Sequence, residues 1–157
     1  AMTRTDGPTA LVLTRQGLPI LPAIEGDSVH QGANVRRDPA SPDVVLIATG
    51  SEVALCLDAA ELLDTQGVAA KVVSMPCVER FLDLSPEARE AILPPGVPRV
   101  SVEAGRTLGW ARIVGDGGRA FGIDDFGLSA PYREIAEELG FTAPNIAYVA
   151  RSVLGRD

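Results

Sequence analysis

With 157 residues, 46% of them hydrophobic, the chain can bury one good core and is too short for two large domains. Its 21 acidic against 14 basic residues give a formal charge of −7; Lys71 is the sole lysine and no basic run extends beyond Arg36 and Arg37, which argues against nucleic acid or an anionic membrane as partner. No run of about 18 apolar residues is present, and the first residues lack an apolar signal core, so a soluble, cytoplasmic protein is expected.

The first expected element is a strand at 10–14, where Ala10, Leu11, Val12 and Leu13 form the continuous apolar run that a strand buried on both faces requires. From 18 to 42 the text is rich in Pro, Gly, Asp and Ser and keeps no period, which reads as a connecting segment with a short strand at 34–37. The expected division is therefore 1–22 as the tail of a preceding domain, 23–42 as linker and 43–157 as the main domain.

A second buried-type strand spans 43–49 and runs into Gly50-Ser51-Glu52, with Ser51 placed to cap a helix. Val53, Cys56, Leu57, Ala60 and Leu63 recur at helical spacing until Gly67 stops the pattern. A strand at 70–75 follows, and the strand, helix, strand order at this length predicts a parallel crossover. Further on come a helix at 86–93, a strand at 99–103 and a weaker strand at 119–123. Two helices close the chain, one over 131–139 and one from Thr142 to 154, with Thr142 as cap and Pro144 in the first turn. The sum is an α/β fold of three α/β/α layers on a mostly parallel sheet of about five strands.

Few residues in this frame point to chemistry. Gly50 and Ser51 lie between a strand and a helix, where free backbone N–H groups can hold a phosphate, which makes them the candidate anion site. Glu52 places a negative charge in the same first turn, so a tight turn with a cap is the favoured alternative. The string Gly115-Asp116-Gly117-Gly118 precedes a strand instead of opening a helix and reads as a flexible turn. Glu103, Asp124 and Asp125 fall at strand ends on the edge where open α/β sheets gather ligands, yet no histidine, lysine or thiol has a legible spacing to them. His30 is the only histidine, and Cys56 and Cys77 read as small buried hydrophobes instead of a disulfide. No catalytic residue, metal ligand set or cofactor motif is visible.

Three blocks carry a family resemblance: Leu13-Thr14-Arg15-Gln16 followed by Leu18-Pro19; Ile47 to Val53 through Gly50-Ser51-Glu52; and Phe126-Gly127-Leu128-Ser129-Ala130-Pro131 with Gly140-Phe141-Thr142 after it. Over most of its length the chain resembles transketolase, beginning in the last strand of the pyrimidine-binding domain and continuing through the C-terminal domain. The resemblance implies a parent enzyme, a transferase of the pentose phosphate pathway, that moves a two-carbon ketol unit between sugar phosphates. It would use thiamine diphosphate and Mg2+ (or Ca2+), and would work as a homodimer. It implies equally that this chain binds no cofactor and is inactive alone, since cofactor and metal belong to the N-terminal and middle domains that would be its partners. Arg15 matches the arginine that contacts the sugar's terminal phosphate. A guanidinium fork suits that task, being bidentate and permanently charged. Two alternatives stay open at this point: a regulatory nucleotide or anion-binding domain, and the equivalent domain of another thiamine diphosphate enzyme.

Overall fold

The computed structural model describes residues 5–22, 24 and 29–156. Its centre is a five-stranded sheet ordered β1-β3-β2-β4-β5, formed by β1 (Asn34–Arg37), β2 (Val44–Ala48), β3 (Ala70–Ser74), β4 (Arg99–Val102) and β5 (Arg119–Phe121). β2 runs parallel to β3 and to β4, with Val44 beside Ala70 and Val45 beside Arg99, and β5 continues the parallel set beside β4. β1 alone is antiparallel, closing the edge against β3 with an irregularity between Val35 and Arg37. The expected short strand at 34–37 is thus real, and residues of the connecting segment complete the sheet.

Burial explains why β2 lies in the middle. All five of its side chains, Val44 to Ala48, are fully buried, which only a strand covered on both faces can achieve. One face, with Val44, Leu46, Val72, Val100 and Val102, packs against α1 (Glu52–Thr65) and α6 (Ala143–Ser152). α5 (Tyr132–Glu138) adds Ala136 to that side, and Phe121 meets Phe141 edge to face at 4.9 Å. The other face, with Val45, Ile47, Val73 and Met75, is covered by α2 (Val78–Leu82), α3 (Pro86–Ile92) and α4 (Ala111–Val114), which contribute Phe81, Ile92 and Ile113, while Trp110 joins from the 3-10 turn before α4. These are the three layers expected from the sequence.

Local signals account for most boundaries. Gly67 takes φ +71° just past α1, a conformation that glycine adopts without steric cost. The Thr142 hydroxyl accepts from the Asn145 N–H at the start of α6, with Pro144 in the first turn, and Ser85 does the same for α3. Lys71, almost fully buried, pairs with Asp38 at 3.1 Å and donates to the Ala91 carbonyl, joining the edge of the sheet to α3.

Two expectations are corrected. Residues 10–14 form no strand, and Val12 is 96% exposed. The pattern was that of a sheet strand, but no strand among the described residues pairs with it, and a strand forms only where a neighbouring strand takes up its backbone hydrogen bonds and covers its side chains. Ser51 caps nothing either. It sits in helical conformation at φ −63° and donates to the Glu52 carboxylate over 2.8 Å instead.

Candidate functional site

In the sheet order, β2 passes through α1 to β3 on one side, whereas β4 leads to β5 on the other. The connections therefore diverge between β2 and β4, and the crevice beyond the carboxyl ends of those strands is where open α/β sheets bind ligands. Thr49 follows β2 and Glu103 follows β4, and the Thr49 hydroxyl donates to the Glu103 carboxylate across the crevice. Beside them opens a cleft of about 420 Å3 whose walls include Cys77, Glu79, Arg106 and Trp110.

Glu52, in the first turn of α1, is only 5% exposed. Burial pushes its carboxyl above the usual carboxylate range and the nearby Glu103 adds to the rise, while donation from Ser51 and from the Ala104 N–H pulls the other way. The fully buried Cys56 thiol is driven up by burial, with the Glu52 charge adding to it, so it behaves as an inert apolar side chain. Neither cysteine is in a disulfide.

The remaining acids at this edge serve loops. Asp124 accepts from both the N–H of Thr107 at 3.0 Å and its hydroxyl at 2.6 Å, and these bonds hold its carboxyl below the ordinary range. Arg106 donates to the Asp124 carbonyl, and Asp125 accepts from the N–H of Phe126. Gly122 permits this closeness, since a Cβ there would sit 2.5 Å from the Gly105 carbonyl. The loops after β4 and β5 are in this way fastened into one wall.

The candidate anion residues lie at the same edge. Gly50 turns at φ +48° and Ser51 follows, but two carboxylates, Glu52 and Glu103, stand next to them, an arrangement that repels an anion unless protonated. Gly115 to Gly118 lie elsewhere, leading into β5 at the amino edge, where Gly118 approaches the Arg99 and Val114 carbonyls too closely for any side chain. His30 is exposed on a 3-10 turn, Val29–Gln31.

Arg15 is exposed, at a bend of the arm formed by residues 5–22. That arm crosses the carboxyl edge: the Thr14 methyl lies 3.9 Å from where a Cβ on Gly50 would be, so Arg15 is next to the turn between β2 and α1. Farther along, Leu21 packs on the α1 side of the core and the Pro22 carbonyl accepts from Arg36 at 2.5 Å. The structure thereby brings Arg15, Gly50 and Ser51 to one edge, a juxtaposition that sequence spacing did not contain. Thr49, Arg106 and Thr107 were not singled out beforehand, and their only signal was position, directly after β2 and β4.

These features define the class: a doubly wound three-layer α/β domain with an acidic strand-end crevice, crossed by an arm that carries one exposed arginine. A family model described as the transketolase-like TK C-terminal domain matches residues 32–142. The chain is 48% identical over 158 residues to the plasmid transketolase of Cupriavidus necator, covering 98% of this chain and 23% of that protein. Transketolase 2 of Xanthobacter flavus is 47% identical over 161 residues, with 99% and 23% covered. Among solved structures, a Pichia stipitis transketolase variant in complex with fructose 6-phosphate superposes with TM-score 0.82 at 36% identity, over 90% of this chain and 20% of that one. Transketolase from Leishmania mexicana gives 0.77 at 37% identity, over 87% and 19%. The chain belongs to the transketolase family, as its C-terminal domain, and spans about a quarter of the length of the curated relatives it matches.

Proposed function

We propose that this chain is the C-terminal domain of an enzyme transferring two-carbon ketol units between sugar phosphates, and that its direct contribution to the site is Arg15, which holds the substrate's terminal phosphate. The observation that carries the reading is the placement of Arg15: exposed, beside the β2 to α1 turn, and without a hydrogen bond or ion pair among the described residues. A guanidinium with free donors, on a residue next to the sheet edge, is suited to bidentate capture of phosphate oxygens. The similar transketolase of Pichia stipitis has been solved with fructose 6-phosphate and with sedoheptulose 7-phosphate, which makes sugar phosphates the class to test.

The parent enzyme's thiamine diphosphate and divalent metal do not fit the residues present. Among the described residues no group of three His, Cys, Asp or Glu side chains could hold a metal ion, and the strand-end crevice is lined by carboxylates that repel a diphosphate. No chemical step is assigned to this chain, and the N-terminal and middle domains of the same polypeptide are proposed to hold both groups. The proposed organisation keeps 1–22 as the tail of the middle domain, 23–42 as linker, of which 34–37 adds the edge strand β1 to the sheet, and 43–157 as the C-terminal domain. The exposed apolar side chains of the arm, Leu11, Val12, Leu13 and Ile20, support a tail that pairs with another sheet. A homodimer in the cytoplasm completes the reading. No helix among the described residues is long and apolar enough to cross a membrane.

A regulatory anion site built on Gly50 and Ser51 alone is less favoured, because Glu52 and Glu103 oppose it and neither residue brings a cation, whereas a phosphate on Arg15 has the guanidinium charge to set against them. Steady-state kinetics of Arg15→Ala in the full-length enzyme test the main proposal. Loss confined to phosphorylated substrates supports it, and an unchanged profile removes Arg15 from the site.

A further inference from the structure

Away from the carboxyl edge, a second concavity lies between α3, α4 and the start of β4. It holds about 180 Å3. Its floor is apolar, made by Leu93 and Ile113, each 2% exposed, with Leu82 beside them. Its rim is cationic: Arg89 comes from α3, Arg99 from β4 and Arg112 from α4, against the single carboxylate of Glu90. In a chain of formal charge −7, this local surplus of positive charge opposes the field of the whole molecule.

The three arginines differ in what they are free to do. Arg99 is committed to structure, with Nη1 donating to the Ile113 carbonyl at 3.0 Å and Nη2 to the Leu93 carbonyl at 3.1 Å. These bonds satisfy carbonyls at the ends of α3 and α4 and fix the distance between the two helices. The side chains of Arg89 and Arg112, in contrast, have no hydrogen bond or ion pair among the described residues, although both line the cavity, one from α3 and one from α4. Two unengaged planar forks over an apolar floor form an arrangement complementary to a carboxylate with a short hydrocarbon body.

We propose that this cavity binds a small organic monocarboxylate, its charge held between Arg89 and Arg112 and its apolar body laid on Leu82, Leu93 and Ile113. The volume sets the size, since it amounts to roughly six water-sized shares, room for an acid of about six to ten non-hydrogen atoms. Two free forks set the binding group, because Arg99 has its donors on the Ile113 and Leu93 carbonyls and Glu90 offsets one of the three guanidinium charges, which leaves Arg89 and Arg112 for one carboxylate. The site is independent of Arg15 and of the strand-end crevice.

The test is a titration of the 15N-labelled 157-residue chain with butyrate, with inorganic phosphate at matched ionic strength and with 1-butanol, followed by amide shifts. Butyrate should give saturable shifts centred on Arg89, Leu93, Arg112 and Ile113 at millimolar concentration, at least tenfold tighter than phosphate or butanol. The double change Arg89→Gln with Arg112→Gln should weaken butyrate at least tenfold, whereas Arg133→Gln, at an exposed position of α5, should leave it unaltered. Should the double variant fail to fold, Arg112→Gln alone, also at an exposed position, is expected to weaken butyrate severalfold. Phosphate binding as tightly as butyrate, shifts scattered over the surface, or variants that bind butyrate like the parent chain would each overturn the proposal.

Discussion

Two neighbouring leucines on α1 give a stringent test of how this domain is held together. Leu63 is fully buried in the cluster that joins α1 to β2, β3 and α6, whereas Leu62, one residue earlier, is 36% exposed. Leu63→Ala removes three carbons, about 2.4 kcal/mol at about 0.8 kcal/mol for each buried methylene. The cavity left in a rigid interface brings the loss to roughly 3–4 kcal/mol. Against a total stability on the order of 5–15 kcal/mol, that is a large fraction, and the melting temperature should fall by roughly 10 °C. Leu62→Ala should cost less than about 1 kcal/mol. Urea unfolding monitored by circular dichroism measures both, with the denaturant slope shared between variants so that midpoints compare directly. Equal losses for the two changes would refute the orientation of α1 on the sheet and the packing derived from it.

Glu52 supplies a prediction in pH. Because burial raises its folded-state affinity for a proton above that of the unfolded chain, the folded state binds more protons as pH climbs through the window above the ordinary carboxylate range, and stability drains away over that interval. Glu52→Gln should therefore gain stability over the parent chain as pH rises from 4 to 8, and a gain that is constant or shrinks with pH would contradict the assignment. At the start of α6, Thr142→Ala should cost about 0.5–1 kcal/mol in the same unfolding assay, toward the low end of N-cap losses because the Asn145 N–H is 3.4 Å from the hydroxyl. Ser51→Ala, which removes no cap, should instead raise the proton affinity of Glu52 further, seen as a shifted pH profile.

Elements with a complete local signal were legible in the sequence. β2 announced itself by five consecutive apolar residues, and α6 by Thr142 and Pro144 at its head. α2 was missed because Val78–Leu82 is five residues long, too short for a helical period to emerge, and α4 because Gly109 interrupts the approach to it. The arm shows the converse failure. Its apolar run has the composition of a strand, but strand formation depends on a partner edge, and no residue of the run can reveal whether one is present. For the site, the acids at the strand ends were readable as positions, while their uses were not: Asp124 is spent on Thr107, and Glu103 on Thr49. The approach of Thr14 to Gly50, which brings Arg15 to the sheet edge, joins residues far apart in sequence and became visible only in the folded chain.

The most direct measurement is the ratio of kcat/KM for a phosphorylated ketose donor to that for an unphosphorylated one, in the full-length enzyme and in its Arg15→Ala variant. Removing one charged hydrogen-bond donor from a phosphate costs on the order of 2 kcal/mol, so the ratio should fall by about thirtyfold, with the unphosphorylated substrate nearly unaffected. If both substrates keep the parent values, or lose activity in equal measure, Arg15 does not hold the phosphate and the contribution assigned to this domain is wrong.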